Sequence, residues 1–292
     1  MRHGEGYARK AMSNERTRLF SGGFDDEFPV GAEPGNNALF GRNVLGGLII
    51  GIDEFIETRE ERWGQYRSLG PALLGCAPWI DDEELLAKLG DFAAAGVVIT
   101  KQARGTKQRT KLERLQLANE TTRGLPVRPF RVLGGLAPKE DGQPLVVGPY
   151  GPPTDETVLP AIRTIGYRKS RQGDSPPLMH AKLVLLGHLS WHDDGEFGVE
   201  DVEGFTPRRL WISSANFTKS SRRNLEFGYW TEDKALMEGA ERFLLKLIAT
   251  SEGLDPETDV IDPDLVPYEF DDEAMFEALG EAPWDDEEDS DG

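Results

Sequence analysis

Short apolar segments alternate with longer polar ones along most of the chain. Their length and their aromatic or β-branched content predict strands at 48–52, 72–77, 96–100, 129–133, 179–186, 210–214 and 225–230. Helices are predicted at 82–89, 107–119 and 233–251. In the last helix the apolar side is expected to carry Leu236, Phe243, Leu244 and Leu247. Because strands alternate with helices, the pattern predicts an α/β fold with a mixed central β-sheet flanked by helices on both faces.

Chemically useful side chains lie on or just after the last three predicted strands. Residues two apart on a strand point to the same face, so His180 and Lys182 are expected side by side. An imidazole can attack phosphorus near neutral pH, and an ammonium group can neutralise a phosphate oxygen. Ser214 and Asn216 add hydrogen-bond donors, and Glu226 can hold the imidazole in one tautomer. The set predicts a phosphodiester site.

This ordered set resembles the motifs of the phospholipase D superfamily, and within it the single-motif nuclease branch. The matching positions are His180, Lys182, Ser214, Asn216 and Asn224-Leu-Glu226. The resemblance implies a phospholipase D-like fold, hydrolysis through a covalent phosphohistidine and no obligatory metal or cofactor. His180, Lys182 and Glu226 would be catalytic, and Lys182, Ser214 and Asn216 would bind phosphate.

The sequence departs from the superfamily pattern at two positions. The usual aspartate, five residues after the lysine, is Gly187, and the serine motif opens with Ser213 where glycine is common. The missing aspartate favours one alternative, a noncatalytic nucleic-acid-binding subunit. A second alternative is a lipid phosphodiesterase of the same superfamily, which is less favoured because no interfacial apolar helix is evident.

The number of histidines bears on the oligomeric state. The resemblance implies one histidine that attacks and another that protonates the leaving oxygen, so a complete site needs two His-x-Lys motifs. Of the four histidines only His180 lies in such a motif. One chain therefore supplies half a site, and a homodimer with the active site on its two-fold axis is expected.

Three regions are predicted: an N-terminal extension at 1–44, a phospholipase D-like catalytic domain at 45–251 and an acidic tail at 252–292. Segment 141–160 is expected to be a loop rich in proline and glycine, and 187–207 an acidic insertion.

The distribution of charge favours a DNA or RNA partner more than the net charge of −19 suggests. The tail contains 18 acidic and no basic residues, which leaves the rest of the chain close to neutral. A basic cluster at 101–131 and cations beside the serine motif can pair with backbone phosphates. The predicted nucleic-acid-binding residues are Lys101, Arg104, Lys107, Arg109, Lys111, Arg114, Arg222 and Arg223. Few aromatic residues interrupt 101–131, so stacking on bases is not indicated there.

The tail combines carboxylates with aromatic residues such as Phe276 and Trp284. Such a composition is typical of a solvated, mobile segment. An alternative hypothesis is that the tail mimics nucleic acid and covers the basic site until a substrate or a further protein partner displaces it.

Other features narrow the class of protein. The chain has no apolar stretch long enough for a membrane and no signal sequence, so a cytoplasmic protein is expected. Its single cysteine, Cys76, lies in an apolar run and is expected in the core. His188, His192, Asp193 and Asp194 form a weak rival metal set, against an acidic surface loop. The resemblance also implies that such nucleases often act in restriction or antiviral defence.

Overall fold

A computed structural model describes residues 26–29, 36–58, 66–101, 106–148, 157–166, 179–193, 201–255, 262–271 and 273. The helices of these residues are α1 (Val44–Glu57), α2 (Glu83–Leu89), α3 (Thr106–Thr121) and α4 (Lys234–Ala249), and a 3-10 turn occupies Ser221–Arg223. The strands, numbered along the chain, are β1 (Asp26–Pro29), β2 (Asn37–Gly41), β3 (Tyr66–Ala77), β4 (Ala94–Lys101), β5 (Leu125–Pro126), β6 (Leu136–Pro138), β7 (Val146–Val147), β8 (Val158–Leu159), β9 (Ile162–Gly166), β10 (Leu183–Asp193), β11 (Asp201–Ser213), β12 (Glu226–Thr231), β13 (Glu252–Gly253), β14 (Leu265–Pro267) and β15 (Glu269–Phe270).

The central sheet has the strand order β1-β2-β12-β11-β10-β3-β4-β9-β13. Strands β3, β4 and β9 are parallel to one another, and the remaining neighbours pair antiparallel. The parallel part is buried on both faces, which explains the apolar runs 72–77 in β3 and 94–99 in β4. The predicted mixed sheet is confirmed.

Helices cover both faces of this sheet, as predicted. Helices α1, α2 and α3 pack on one face through residues such as Leu48, Leu85 and Leu115. Helix α4 packs on the other face through residues such as Leu244 and Ile248. The fold class expected from the sequence is therefore confirmed.

The segment 48–52, predicted as a strand, is part of α1 instead. Its buried neighbours repeat with helical spacing, at Val44, Leu45, Leu48, Ile49, Ile52 and Phe55, while Ile50 is exposed. A short apolar run does not distinguish a buried helix from a strand. Gly51 then allows close packing, because a Cβ there would lie 2.4 Å from the ring of Trp230.

One other prediction about local structure is wrong, and a second, for the apolar side of α4, is confirmed only for Leu244 and, in part, for Leu247. Segment 129–133 forms turns rather than a strand: the Phe130 amide donates to Val127, and the Leu133 amide donates to Phe130. Apolar side chains spaced three apart suit such turns, and both Phe130 and Leu133 are buried. In α4 the buried side carries Met237, Ala240, Leu244, Leu245 and Ile248. Leu236 and Phe243 are exposed instead.

The expected acidic insertion at 187–207 is largely a long hairpin. Strands β10 and β11 pair from Leu183 with Ile212 as far as Asp193 with Asp201. A shift in register follows Leu186. The tip of the hairpin lies outside the described residues.

The sheet extends beyond the region 45–251 at both ends of the chain. Strands β1 and β2 come from the predicted N-terminal extension, and β13 comes from the start of the acidic tail. Farther along, β14 pairs with β6 and β15 pairs with β7. Asp264 binds the buried guanidinium of Arg163, which also donates to Ser251 Oγ at 2.7 Å. The described parts of the tail, residues 252–255 and 262–271, thus pack on the body of the protein.

Candidate active site

The ends of six strands meet at one edge of the sheet. The parallel strands β3, β4 and β9 end there, β11 also ends there, and β10 and β12 begin there. Ligands of open α/β sheets commonly bind outside the carboxyl ends of the parallel strands. All five residues predicted for catalysis or phosphate binding lie at or beside this edge.

His180 and Lys182 lie just before β10 and in contact with each other. Lys182 Nζ is 3.0 Å from His180 Nδ1 and 3.3 Å from Nε2, and it donates to the His180 carbonyl at 2.9 Å. The imidazole is exposed, whereas Lys182 is only 6% exposed. An ammonium group held this way would meet any phosphate that approaches the imidazole.

Two hydrogen bonds fix the backbone around this pair. The Ser213 amide donates to the Lys182 carbonyl at 3.1 Å, which joins the start of β10 to the end of β11. The buried hydroxyl of Thr100, in β4, donates to the Met179 carbonyl at 3.0 Å. The segment that carries His180 is therefore hydrogen-bonded to β11 on one side and to β4 on the other.

Ser214 and Glu226 form the second half of the cluster. Ser214 Oγ donates to Glu226 Oε2 at 2.5 Å and accepts the Phe227 amide at 3.0 Å. Asn224 Nδ2 donates to the other carboxylate oxygen at 3.4 Å. The carboxylate is thus held by Ser214 and Asn224, while the His180 ring contacts Lys182. Orientation of the imidazole by Glu226 stays a prediction.

Ser213 has a structural role that explains why glycine is not required at its position. Its hydroxyl donates to the Phe227 carbonyl at 2.8 Å and accepts the Ala215 amide at 2.8 Å. These bonds shape the turn that presents Ser214 and Asn216. Asn216 Oδ1 is buried and has no hydrogen-bond partner among the described residues.

Electrostatics connect Lys182 with Glu226. Burial lowers the pKa of the Lys182 ammonium below its usual 10.5, and the charge of Glu226 partly offsets this. Cys76 lies nearby in β3, and burial raises the pKa of its thiol to about 12. A thiol that stays protonated is a poor nucleophile, so the expectation of a core cysteine is supported.

Gly187 lies away from the site. Its offset of five from Lys182 places it on the opposite face of the strand. A Cβ at this position would lie 2.5 Å from the ring of Phe205 and 2.5 Å from the Thr206 carbonyl. Phe205 therefore fills the space that an aspartate side chain would need. The groups that contact Lys182 are therefore present although position 187 has no aspartate.

The predicted nucleic-acid-binding residues have different surroundings. Helix α3 begins at the site edge and carries Lys111 and Arg114, of which Arg114 is exposed. Lys111 pairs with Asp81 at 3.1 Å and lies 5.7 Å from the centre of the Trp79 ring. The side chains of Lys101, Lys107 and Arg109 and the whole of Arg104 lie outside the described residues.

Arg222 and Arg223 differ although they are adjacent. The Arg222 guanidinium binds both oxygens of Asp82, at 2.6 and 2.8 Å, and Glu84 at 2.7 Å. Asp82 is buried and also caps α2 by accepting the Leu85 amide. Arg222 therefore holds the loop between Asn216 and Glu226 against α2, which leaves little of its charge for phosphate. Arg223 is exposed.

Within the described ranges, the side chains form no cluster of three or more metal-ligand residues. His188 and His192 lie on strand β10 rather than on a helix, which separates them by about 13 Å. His188 packs against Phe55, with 4.8 Å between the ring centres. The two histidines therefore lack the helical spacing that the rival metal set needs, and the side chains of His192 and Asp193 and the whole of Asp194 lie outside the described residues. In the described part of the chain, no helix is long and apolar enough to span a membrane.

Sequence reasoning missed several residues that shape the site. Thr100 at the end of β4 gave no signal beyond its place at a strand end. Asp82 was expected only as a helix start, and its ion pair with Arg222 joins segments 140 residues apart. Leu225 and Phe227 flank Glu226 and are exposed, by 53% and 42%. Their position on an edge of the site became evident only from strand pairing.

The His-x-Lys, Ser-x-Asn and Asn-x-Glu motifs, which resemble those of the phospholipase D superfamily, lie together at one edge of the mixed sheet. Two solved structures are similar to this chain. NucT from Helicobacter pylori has 13% identity and a TM-score of 0.40, over 75% of this chain and 98% of that chain. Nuc from Salmonella typhimurium, a phospholipase D family member, has 11% identity and a TM-score of 0.37, over 74% and 97%.

No family model and no curated protein matches this chain. Because both TM-scores lie below 0.5, the function is inferred from the chain's own residues.

Proposed function

We propose that this protein is a phospholipase D-like nuclease that hydrolyses nucleic-acid phosphodiester bonds through a covalent phosphohistidine. The observation that carries the proposal is the junction of β10, β11 and β12. There an exposed imidazole contacts a buried lysine, and the Ser214–Glu226 pair lies at the same edge. A nucleophile, a cation and hydroxyl donors are the groups that phosphoryl transfer needs.

In the first step a neutral imidazole nitrogen of His180 attacks phosphorus. A nitrogen–phosphorus bond forms, and the bond from phosphorus to the leaving oxygen breaks. Lys182 and Asn216 bind the nonbridging oxygens, on which negative charge increases in the transition state, and Ser214 joins them when its hydroxyl turns from Glu226 to the phosphate. A second imidazolium donates its proton to the leaving oxygen.

In the second step water attacks the phosphohistidine. The imidazole that gave up its proton now accepts one from the water, and the nitrogen–phosphorus bond breaks. The products are a phosphomonoester and a free hydroxyl end, and both imidazoles return to their starting states. No metal enters either step of this proposal.

The second imidazole is proposed to be His180 of the partner subunit in a homodimer. A two-fold axis through the site would bring two identical half-sites face to face. Co-expression of wild-type and His180→Asn chains tests this arrangement. If each site needs both histidines, activity follows the square of the wild-type fraction, and light scattering finds the active species dimeric. A linear dependence, or an active monomer, would contradict the dimer.

The nucleic acid is proposed to lie along the site edge. The start of α3 lies there, Arg114 is exposed on that helix, and Lys219 and Arg223 are exposed beside the serine motif. These cations can neutralise phosphates that flank the cleaved bond, and such binding weakens with salt. Arg222 is left out of this surface because Asp82 and Glu84 bind it.

The experiment that tests the function is cleavage of labelled DNA and RNA, single- and double-stranded, in excess EDTA. Wild type is compared with His180→Asn, and His192→Asn is the matched control because it lies about 40 Å away along β10. We expect wild type and His192→Asn to cleave the substrate and His180→Asn to leave it intact. Circular DNA tests for an endonuclease, and acid-labile phosphate on His180 tests for the covalent intermediate.

Two outcomes would contradict the proposal. If excess EDTA abolishes cleavage, the reaction depends on a metal. If wild type binds nucleic acid but cleaves none, the noncatalytic alternative is favoured.

We also propose that the protein acts in restriction or antiviral defence, the context that the resemblance implies. Phage plating on cells that express wild type or His180→Asn would test it.

A further inference from the structure

Three exposed apolar side chains lie beside the Ser214–Glu226 pair. Leu225, Phe227 and Phe40 are 53%, 42% and 44% exposed. Phe227 and Phe40 face each other across β12 and β2, with ring centres 6.3 Å apart and 27° between their planes. We call these three side chains the apolar shelf.

The shelf is continuous with the proposed phosphate-binding groups. An open depression of about 310 Å³ is lined by Phe40, Gly41, Ser214, Leu225, Glu226 and Phe227. Its lining therefore combines three apolar side chains with the polar groups of Ser214 and Glu226. A mostly apolar wall with a few polar groups is typical of sites for small organic groups.

Charge determines which part of a nucleotide fits this depression. Glu226 is the ionisable residue in its lining, so a phosphate anion there would be repelled. The phosphate is better placed beside the Lys182 ammonium, which does not line the depression. The neutral, flat part of a nucleotide is its base, and the base is covalently linked to the phosphate. Aromatic rings bind bases by stacking, with little dependence on sequence.

We infer that the apolar shelf, mainly through Phe227, binds an unpaired nucleobase next to the cleaved phosphate. A base within a duplex is stacked between its neighbours and cannot lie on the shelf without being flipped out. The inference therefore selects single-stranded nucleic acid, or strands with unpaired bases, as the substrate class. It rests on the proposed nuclease function and adds the group that is recognised beside the phosphate.

The test compares an oligothymidylate with an abasic deoxyribose-phosphate chain of the same length. Both carry the same phosphates, so the ratio of their KM values isolates the contribution of the bases. Wild type is expected to favour the oligothymidylate by about tenfold, the order expected for stacking of one base. Phe227→Leu keeps an apolar side chain without a π-system, and it should reduce the ratio towards one.

Phe243→Leu is the matched control, because Phe243 is an equally exposed phenylalanine on α4, away from the site. It should keep the wild-type ratio. An unchanged ratio in Phe227→Leu would overturn the inference. Dissociation of a dimer by Phe227→Leu in light scattering would also overturn it, because the shelf would then contact a second copy of the chain.

Binding separates failure of the inference from failure of the proposed function. The same two oligonucleotides are titrated by fluorescence anisotropy against His180→Asn, with and without Phe227→Leu. If wild type cleaves neither chain, the nuclease proposal fails, and the ratio of the two Kd values still decides the shelf. A Kd ratio that Phe227→Leu lowers supports the shelf, and one that it leaves unchanged refutes it.

Discussion

At the scale of single residues, the site depends on a lysine that is buried while its neighbour His180 is exposed. Burial of Lys182 brings its ammonium close to the imidazole and keeps water away from it. The same burial makes the charged form harder to maintain, and Glu226 compensates in part. Because the proposed phosphate-binding group is also the group whose pKa is shifted by burial, pH is a direct probe of the proposed site.

We predict that cleavage of DNA decreases at alkaline pH below the usual lysine pKa of 10.5, because burial lowers the pKa of Lys182. Removing the negative charge with Glu226→Gln should move this decrease to still lower pH. The stability of the fold should change in the opposite direction and rise with pH. Below the folded-state pKa the buried charge destabilises the protein, and this destabilisation disappears as the pH rises towards 10.5. Initial rates from pH 6 to 11 measure the effect.

Lys182→Arg is the control for this prediction, because arginine stays charged throughout that range. Any activity that it retains should lack the alkaline decrease. If wild type, Glu226→Gln and Lys182→Arg all lose activity at the same pH, Lys182 is not the titrating group.

Thr100 is predicted to position His180 through the Met179 carbonyl. Thr100→Val keeps the shape and loses the hydroxyl, so about 1 kcal/mol of stability should be lost. A displaced imidazole should lower kcat by about tenfold with little change in KM. Thr100→Ser should restore kcat, which a purely structural role in packing would not predict. Steady-state kinetics with thermal unfolding as the companion measurement test this.

At the scale of secondary structure, strand alternation separates the two faces of β10. Lys182, just before the strand, is on the side of one face, whereas Gly187 meets Phe205 on the other. The missing aspartate is thus a change in packing on the far side of the sheet. Its effect can be tested without touching the proposed phosphate-binding groups.

Gly187→Asp restores the residue usual in the superfamily and is predicted to destabilise the protein. The new side chain would clash with Phe205 and with the Thr206 carbonyl, and overpacking of this kind costs about 1–3 kcal/mol. Activity should not rise above that of wild type at temperatures where the variant is folded. Calorimetry and cleavage rates measure both effects. A more active Gly187→Asp protein would show that the aspartate contributes to the site.

Arg222 and Arg223 form a natural pair for separating stability from binding. Arg222→Ala leaves the buried Asp82 carboxylate without its guanidinium and should cost about 3 kcal/mol. Arg223→Ala should leave stability almost unchanged, weaken nucleic-acid binding and reduce the salt dependence of binding. Denaturant unfolding and titrations at several salt concentrations measure the two effects. The reverse pattern would place Arg222 on the nucleic acid.

Asp82 adds a pH signature to the same contact. Burial alone would raise the pKa of its carboxyl, but hydrogen bonds from Arg222 and Leu85 outweigh it and lower the pKa. This stability is present above the pKa of about 3.9 found in unfolded chains and is lost as pH falls through the folded value. Wild type should therefore lose more stability than Arg222→Ala on acidification below pH 4.

At the scale of the whole molecule, only the first part of the acidic tail has a described structural role. Residues 262–271 pack on β6, β7 and Arg163, close to the start of β9 and therefore away from the site edge. Residues 274–292, which include Trp284 and the terminal run of carboxylates, lie outside the described residues. The hypothesis of a covering tail now concerns this second part.

Two truncations are predicted to differ. A chain ending at 251 loses Asp264 and leaves Arg163 buried without its carboxylate, which should cost about 3–5 kcal/mol. A chain ending at 273 keeps this ion pair and should stay folded. If the terminal run covers the site, the second truncation should bind nucleic acid more tightly at low salt. Unchanged affinity would refute the covering hypothesis.

The sequence by itself determined the fold class, three of the four helices and the strands β3, β4, β10, β11 and β12, and it supplied the candidate residues of the site. Apolar periodicity is local, and His180, Lys182, Ser214 and Glu226 lie in short motifs at strand ends. The sequence did not predict helix α1, because residues 48–52 form a short apolar run. Such a run does not distinguish a strand from a buried helix. Its helical state is decided by packing, where Gly51 meets Trp230 from β12.

Only the tertiary structure decided the contacts between distant segments. The packing of strands, turns and helices places Gly187 against Phe205, Arg222 against Asp82, and Phe227 beside Phe40. In the sequence Arg222 and Arg223 are equal cations, and Leu225 and Phe227 are ordinary strand residues. Their roles differ because burial and charge depend on which surfaces meet, and no local pattern carries that information.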